Sequence, residues 1–329
     1  SWLPIALGGE ANMYWLWRTH WAGHELMHGA VLDTSGRPML AEEEVKETAA
    51  GFRKAADFVR ETKVAPDVAI HFTSLNWNMF EQQGIVKGLN YQQSVVGRFY
   101  KPLIDLGLRP DVIDAHAALD GYRVVFSPLM LTLEEAGLPQ RMEQWVREGG
   151  TWIVGPLSDE RNRDGARYTD CLYGMLERLT GVEWKYALPD TEGRTAAAWT
   201  DGTPMPADTW FEVSNPGRAE SLATIVKGHR AILGKTVIAL PAPETTRLLA
   251  QKLLPDAGVR LPEVVGEVIV SPRRGAMNGE IVLEYAGKPA SYTLPAPAVD
   301  LLTGDEGWVI FKFSVPIILS YLLQQIYTI

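Results

Sequence analysis

The sequence predicts an α/β protein with a helix-covered parallel sheet at its centre and a small antiparallel β domain at its end. Two rhythms carry this reading. Short apolar runs, VAIHF (68–72), DVIDA (111–115), RVVFSP (123–128) and TWIVGP (151–156), alternate with segments of helical periodicity at about 90–107 and 138–148. Strand–helix alternation puts parallel strands beneath helices on both faces. From residue 263 the pattern becomes short strands divided by turns, VGEVIVSP, GEIVLEYAG, ASYTLPAP and VDLLTGD, as antiparallel hairpins require. With 46% hydrophobic and 22% charged residues over 329 positions, the chain can bury about two or three compact cores.

Taken in order, the opening SWLPIALGG lacks the basic start and cleavage site of a secretory signal and reads as a chain entered midway, with an upstream portion expected. Residues 11–18, ANMYWLWR, read as a buried strand leading into a functional loop. In such a strand Trp15 and Trp17 share one face, so at least one of them is expected to fill core. A helical stretch is expected around THWAGHELMH, then a turn at DTSGRP (33–38). From Glu42 to about Thr62 the apolar positions Val45, Ala49, Phe52, Ala56 and Val59 recur at helical spacing, and Glu42 to Glu44 sit where the helix dipole favours anions. Residues 157–168, LSDERNRDGARY, read as a solvated charged loop. A last helix is expected near 243–256.

Charge and cysteine content narrow the function. The 31 basic against 40 acidic residues give a net charge of −9, which disfavours phosphate backbones and anionic membranes, so nucleic acid is not expected as a partner. Cys171 alone excludes an internal disulfide and a zinc site built on several thiolates; this points to a reducing, cytoplasmic compartment. Residues 308–329, WVIFKFSVPIILSYLLQQIYTI, hold one charge, Lys312, in a stretch of membrane-span length. Pro316, Gln324 and Gln325 argue for closing strands or an aberrant end over a membrane anchor.

The chemistry concentrates in YWLWRTHWAGHELMHGAVLD, residues 14–33. In one reading HELMH, His24 to His28, is a helical HExxH zinc motif with Glu25 as general base and Glu47 as third ligand. Gly23 and Gly29 flank it and disfavour the long helix it needs. In the other reading the segment is a wall of a carbohydrate pocket, where indoles stack on sugar C–H faces and charged side chains hold hydroxyls. An ordinary Glu25–His28 salt bridge at i, i+3 is the structural alternative.

The run YWLWRTHWAGHELMHG (14–29) resembles the eighth barrel strand and following loop of family 42 glycoside hydrolases, which are mostly β-galactosidases. GRFYKPLIDLG, VVFSPLMLTLEE and WVREGGTWIVGP resemble that family's trimerisation domain, and DLLTGD its closing β domain. The resemblance implies three parts: residues 1–63 as the truncated end of a TIM (β/α)8 barrel, 64–262 as a flavodoxin-like, class I glutamine amidotransferase-like parallel-sheet trimerisation domain, and 263–329 as the C-terminal β domain. It implies a retaining β-galactosidase acting on terminal β-D-galactose of a galactoside or oligosaccharide, assembled as a homotrimer, with no cofactor and no metal. Glu25 and His28 match the galactose-hydroxyl pair, Trp15 an aromatic position of the same subsite, and Trp21 a neighbour. A pure assembly or binding module is the competing reading.

Retaining glycosidases need two carboxylates roughly 5 to 5.5 Å apart. The resemblance puts these glutamates on the fourth and seventh barrel strands, upstream of Ser1, so the chain as given is expected to be inactive alone. Glu10 precedes the eighth strand and is expected at the non-catalytic face. Cys171, in TDCLYG, is expected in a helical stretch as a buried bystander, without the glycine-flanked elbow of a nucleophile.

Overall fold

The computed structural model describes residues 2–171 and 173–295, so the expectations for 308–329 and for DLLTGD lie outside the described residues. The chain is mixed α/β and divides into two compact units, one of residues 66–261 and one joining residues 1–65 to those from 262 onward.

In the second of these units the amphipathic helix is Ala41–Glu61, with Glu42, Glu43 and Glu44 in its first turn and Arg60 in its last, as the macrodipole favours. Ala55 and Phe58 are buried. The helix ends where Thr62 turns extended and begins the strand Thr62–Val64. That strand pairs antiparallel with Val268–Gly275, which pairs in turn with Asn278–Glu284. Sequence from both ends of the chain therefore shares one three-stranded sheet, and a separate pair joins Glu263–Val265 to Ser291–Thr293. Buried Arg273 fixes the junction. Its guanidinium donates to Thr62 Oγ1 (2.9 Å), Thr62 O (2.7 Å), Val59 O (3.0 Å) and Ile5 O (3.3 Å), satisfying carbonyls that the helix end leaves without intrahelical partners. Gly275 and Gly279 permit the close approach: a Cβ on Gly275 would stand 2.1 Å from Glu61 O, and one on Gly279 2.8 Å from the Phe58 ring.

Within 66–261, Val68–His71, Asp111–Ile113, Val124–Ser127 and Thr151–Val154 form a parallel sheet in which the first strand lies between the second and the third, and the fourth follows the third. Residues 68–71 and 124–127 are buried throughout, as strands covered on both faces must be. Alternation separates two cores. Val68, Ile70, Val124 and Phe126 face Phe80, Tyr91, Leu103 and Leu254; Ala69 and Val125 face Leu138, Met142, Tyr173 and Trp184. Helices fall where periodicity put them in a run from Tyr91 to Ile104 with a π-helical turn at Val95–Tyr100, at Leu138–Arg147 and at Pro243–Asp256, while the helix Ser74–Gln82 is not among those expected.

Two expectations fail here. Residues beyond Thr180 do not extend the parallel sheet: Glu183–Asp190, Ala196–Trp199, Pro204–Met205, Ala207–Asn215, Ala223–Lys227 and Thr236–Pro241 build a six-stranded antiparallel sheet. Parallel strands need crossovers of a dozen or more residues, and the connections here are short turns. One is closed by the Asp190 carboxylate, which accepts from the backbone N–H of Glu192 and Arg194 at 3.1 Å. The charged loop is solvated only in part: Arg163, Asp164, Ala166 and Arg167 are exposed, but the residues before them are not. Ser158, Asp159, Glu160 and Arg161 are buried, because partners within the segment and on neighbouring elements satisfy their polar groups. Asp159 N donates to Met130 O (2.8 Å) and Arg161 N to Leu131 O (2.9 Å). The Glu160 carboxylate accepts from Arg167 (2.8 Å) and Arg161 (3.3 Å), and Arg161 also reaches Gln83 Oε1 (2.8 Å).

Buried titratable groups in this unit include Glu212 and His71. Glu212, 1% exposed, accepts from Leu157 N (2.8 Å), Trp210 Nε1 (2.9 Å) and Trp184 Nε1 (2.7 Å). Burial outweighs these donors and pushes its carboxyl up to about 7. On the parallel sheet, His71 Nδ1 and Ser127 Oγ are 2.7 Å apart, and Trp152 Nε1 donates to the same hydroxyl at 2.7 Å. Burial, with Arg141 adding to it, lowers His71 to about 4.

Candidate carbohydrate-binding site

The segment carrying Trp15, Trp21, Glu25 and His28 is a loop hung from a short backbone ladder. Val31 N donates to Leu16 O (3.2 Å), Leu32 N to Trp17 O (2.9 Å), Thr19 N to Leu32 O (3.0 Å) and Met39 N to Val31 O (3.0 Å). The predicted strand at 11–18 is reduced to this: Arg18 bridges Leu32, and no longer ladder forms. A lone extended segment gains too little from a single short partner to make a regular strand. The DTSGRP turn forms as expected. Asp33 Oδ1 accepts from Ser35 N (2.8 Å), Ser35 Oγ (2.7 Å) and Arg37 N (2.8 Å), an Asx-type turn. The Ser35 hydroxyl and the Arg37 amide hold its carboxyl below the usual range. Arg18 Nη2 donates to Thr34 O at 2.6 Å.

Between these pins the expected helix at 19–28 is absent. Residues 24–27 form a turn, with His28 N donating to Glu25 O at 3.3 Å. Gly23 has φ +99°, outside helical space, and so few residues before Gly29 cannot repay helix nucleation. The i, i+4 relation that an HExxH zinc site needs is therefore lost. Among the described residues no group of three or more His, Cys, Asp or Glu side chains could hold a metal ion.

What the loop does assemble is a carboxylate between two imidazoles. Glu25 Oε2 lies 3.4 Å from His20 Nε2 and 3.9 Å from His28 Nδ1, and His28 Nδ1 finds no hydrogen-bond partner among the described residues. The His20 ring meets the Trp15 indole edge-on, with centroids 6.3 Å apart. Neither Trp15 (68% exposed) nor Trp17 (58%) fills core, contrary to the expectation from strand alternation, because the segment is not a strand within a sheet. Trp21, 85% exposed, has no ring contact with the others among the described residues. Sequence reasoning missed His20, since its link to Glu25 follows no helical or strand period.

The other candidates stay outside this cluster. Glu10 is exposed in a loop after the helix Trp2–Ala6. Cys171 precedes rather than joins the helix Gly174–Thr180, and it is half-buried rather than fully buried. Burial and the Asp170 carboxylate push its thiol up, which keeps it a poor nucleophile. Among the described residues no helix is long and apolar enough to cross a membrane.

The chain is 31% identical over 319 residues to β-galactosidase YesZ of Bacillus licheniformis, an alignment covering 91% of this chain and 47% of that protein. It is 29% identical over 318 residues to β-galactosidase YesZ of Bacillus subtilis, again with 91% and 47% covered. The chain thus spans about half the length of these curated relatives. Among solved structures, β-galactosidase from Bacillus circulans sp. alkalophilus superposes with a TM-score of 0.84 at 20% identity, over 95% of this chain and 50% of that one. At that identity the likeness is one of fold. The family described as the β-galactosidase trimerisation domain matches residues 66–239, more than half of the sequence. The chain belongs to the glycoside hydrolase family 42 β-galactosidases and carries their trimerisation domain.

Proposed function

We propose that this chain is part of a retaining β-galactosidase, in which it supplies one wall of the galactose subsite and the oligomerisation domain while the two catalytic glutamates lie outside the sequence. The observation that carries the reading is the exposed loop in which Glu25, flanked by His20 and His28, is linked through the His20 ring to the exposed Trp15 indole. Carboxylate and imidazole suit sugar hydroxyls, and indole suits a pyranose C–H face. Glu25, His28, Trp15 and Trp21 are the binding residues in this reading. Residues 1–63 correspond to the end of a TIM barrel, 64–262 to a flavodoxin-like trimerisation domain and 263–329 to the C-terminal β domain. The strand order second, first, third, fourth in the parallel sheet supports the flavodoxin-like assignment. A homotrimer in the cytoplasm, acting on galactosides, completes the proposal; the single cysteine supports the compartment.

The purified chain is expected to bind D-galactose without cleaving a chromogenic galactoside, and to sediment as a trimer. Hydrolysis by this chain would place the nucleophile within it and refute the division of labour. Trimer formation with no galactose binding would favour the assembly-module reading, which the match over 66–239 also suits.

A further inference from the structure

We infer that His20 is a positioning residue for sugar binding, holding the Glu25 carboxylate beside the Trp15 indole so that the two meet one pyranose together. The inference rests on the galactose-subsite reading above and adds a residue to it. His20 Nε2 and His28 Nδ1 both approach the same oxygen of Glu25, Oε2, at 3.4 Å and 3.9 Å. That arrangement leaves Oε1 to accept from a ligand hydroxyl. The same His20 ring meets Trp15 edge-on, at 6.3 Å between centroids and 61° between planes. One imidazole therefore joins the aromatic platform to the hydroxyl acceptor.

The loop needs such a tie. Its backbone is pinned at 16–19 and 31–32, and the residues between form turns rather than a helix, so sequence spacing alone does not fix where Glu25 points. Glu25 is about half exposed, with a side-chain exposure of 49%. A long side chain in that state loses rotamer freedom when it engages a ligand, and a partner that orders it beforehand removes part of the loss.

Saturation-transfer NMR titration of D-galactose against the chain tests this. His20→Ala is expected to weaken binding by about three- to fivefold, the range a weak, half-exposed side-chain contact supports. His20→Gln, whose amide can donate to the same carboxylate, is expected to recover most of the loss, and Glu25→Gln to weaken binding further. If Glu25→Gln weakens binding while His20→Ala does not, the positioning role is overturned and the sugar site stands. Equal losses in His20→Ala and His20→Gln also overturn it, since a side chain that merely fills the loop would give that result. Absence of saturable binding, or binding indifferent to Glu25→Gln, overturns the inference and the galactose-subsite reading together.

Discussion

Replacing Glu212 with glutamine tests how the unit of residues 66–261 handles buried charge. The folded-state carboxyl is pushed from 4.5 to about 7. A raised acid pKa means that the folded state holds a proton the unfolded chain has released, so stability is lost as pH rises from 4.5 to 7. The shift corresponds to about 3 kcal/mol. His71 acts in the opposite sense: lowered from 6.5 to about 4, it makes stability fall as pH drops from 6.5 to 4, again by about 3 kcal/mol. Where the windows overlap, the two slopes offset each other in the intact protein. Glu212→Gln removes one of them. The glutamine amide also brings an N–H group among the three N–H donors of Leu157, Trp184 and Trp210, which costs about 1 to 3 kcal/mol at any pH. The variant should therefore be less stable at pH 4.5, and its deficit should shrink by about 3 kcal/mol by pH 7. Urea unfolding followed by tryptophan fluorescence at several pH values measures this directly. A deficit constant across that range would show that Glu212 does not titrate there, and the balance of burial against hydrogen bonding would have been judged wrongly.

Two further outcomes follow from the same structure. His71→Gln should lose its acid sensitivity, so that its stability relative to the unsubstituted chain improves by about 3 kcal/mol between pH 6.5 and pH 4; parallel pH profiles in the urea assay would contradict this. Gly275→Ala places a Cβ against the Glu61 carbonyl at 2.1 Å, whereas a Cβ on Gly84 meets nothing within 4 Å. The first is expected to destabilise by about 1 to 3 kcal/mol and Gly84→Ala to stay within about 0.5 kcal/mol. Equal melting shifts for the two would discount the tight helix–strand junction.

Legibility varied with how local the governing physics is. The helix Ala41–Glu61 and the buried strands 68–71 and 124–127 were readable because each advertises its period in its own residues. The segment 19–28 reads as helix because THWAGHELMH has helical apolar spacing, while Gly23 and Gly29 leave too short a run between them. The burial of residues 158–161 was invisible for a different reason. Charged residues signal solvent unless their partners are known, and here the partners are Arg167, Gln83, Met130 and Leu131.

Sequence by itself determined the helix Ala41–Glu61 and the parallel core, since period and turn chemistry are encoded along the chain. Tertiary structure alone decided that Thr62–Val64 joins a strand more than 200 residues away, that residues 183–241 fold antiparallel, and that His20 stands against Glu25. These are pairings between distant or aperiodic positions. Their stability comes from backbone hydrogen bonds and from desolvated side chains meeting in space, and no local pattern records which partner each group will find.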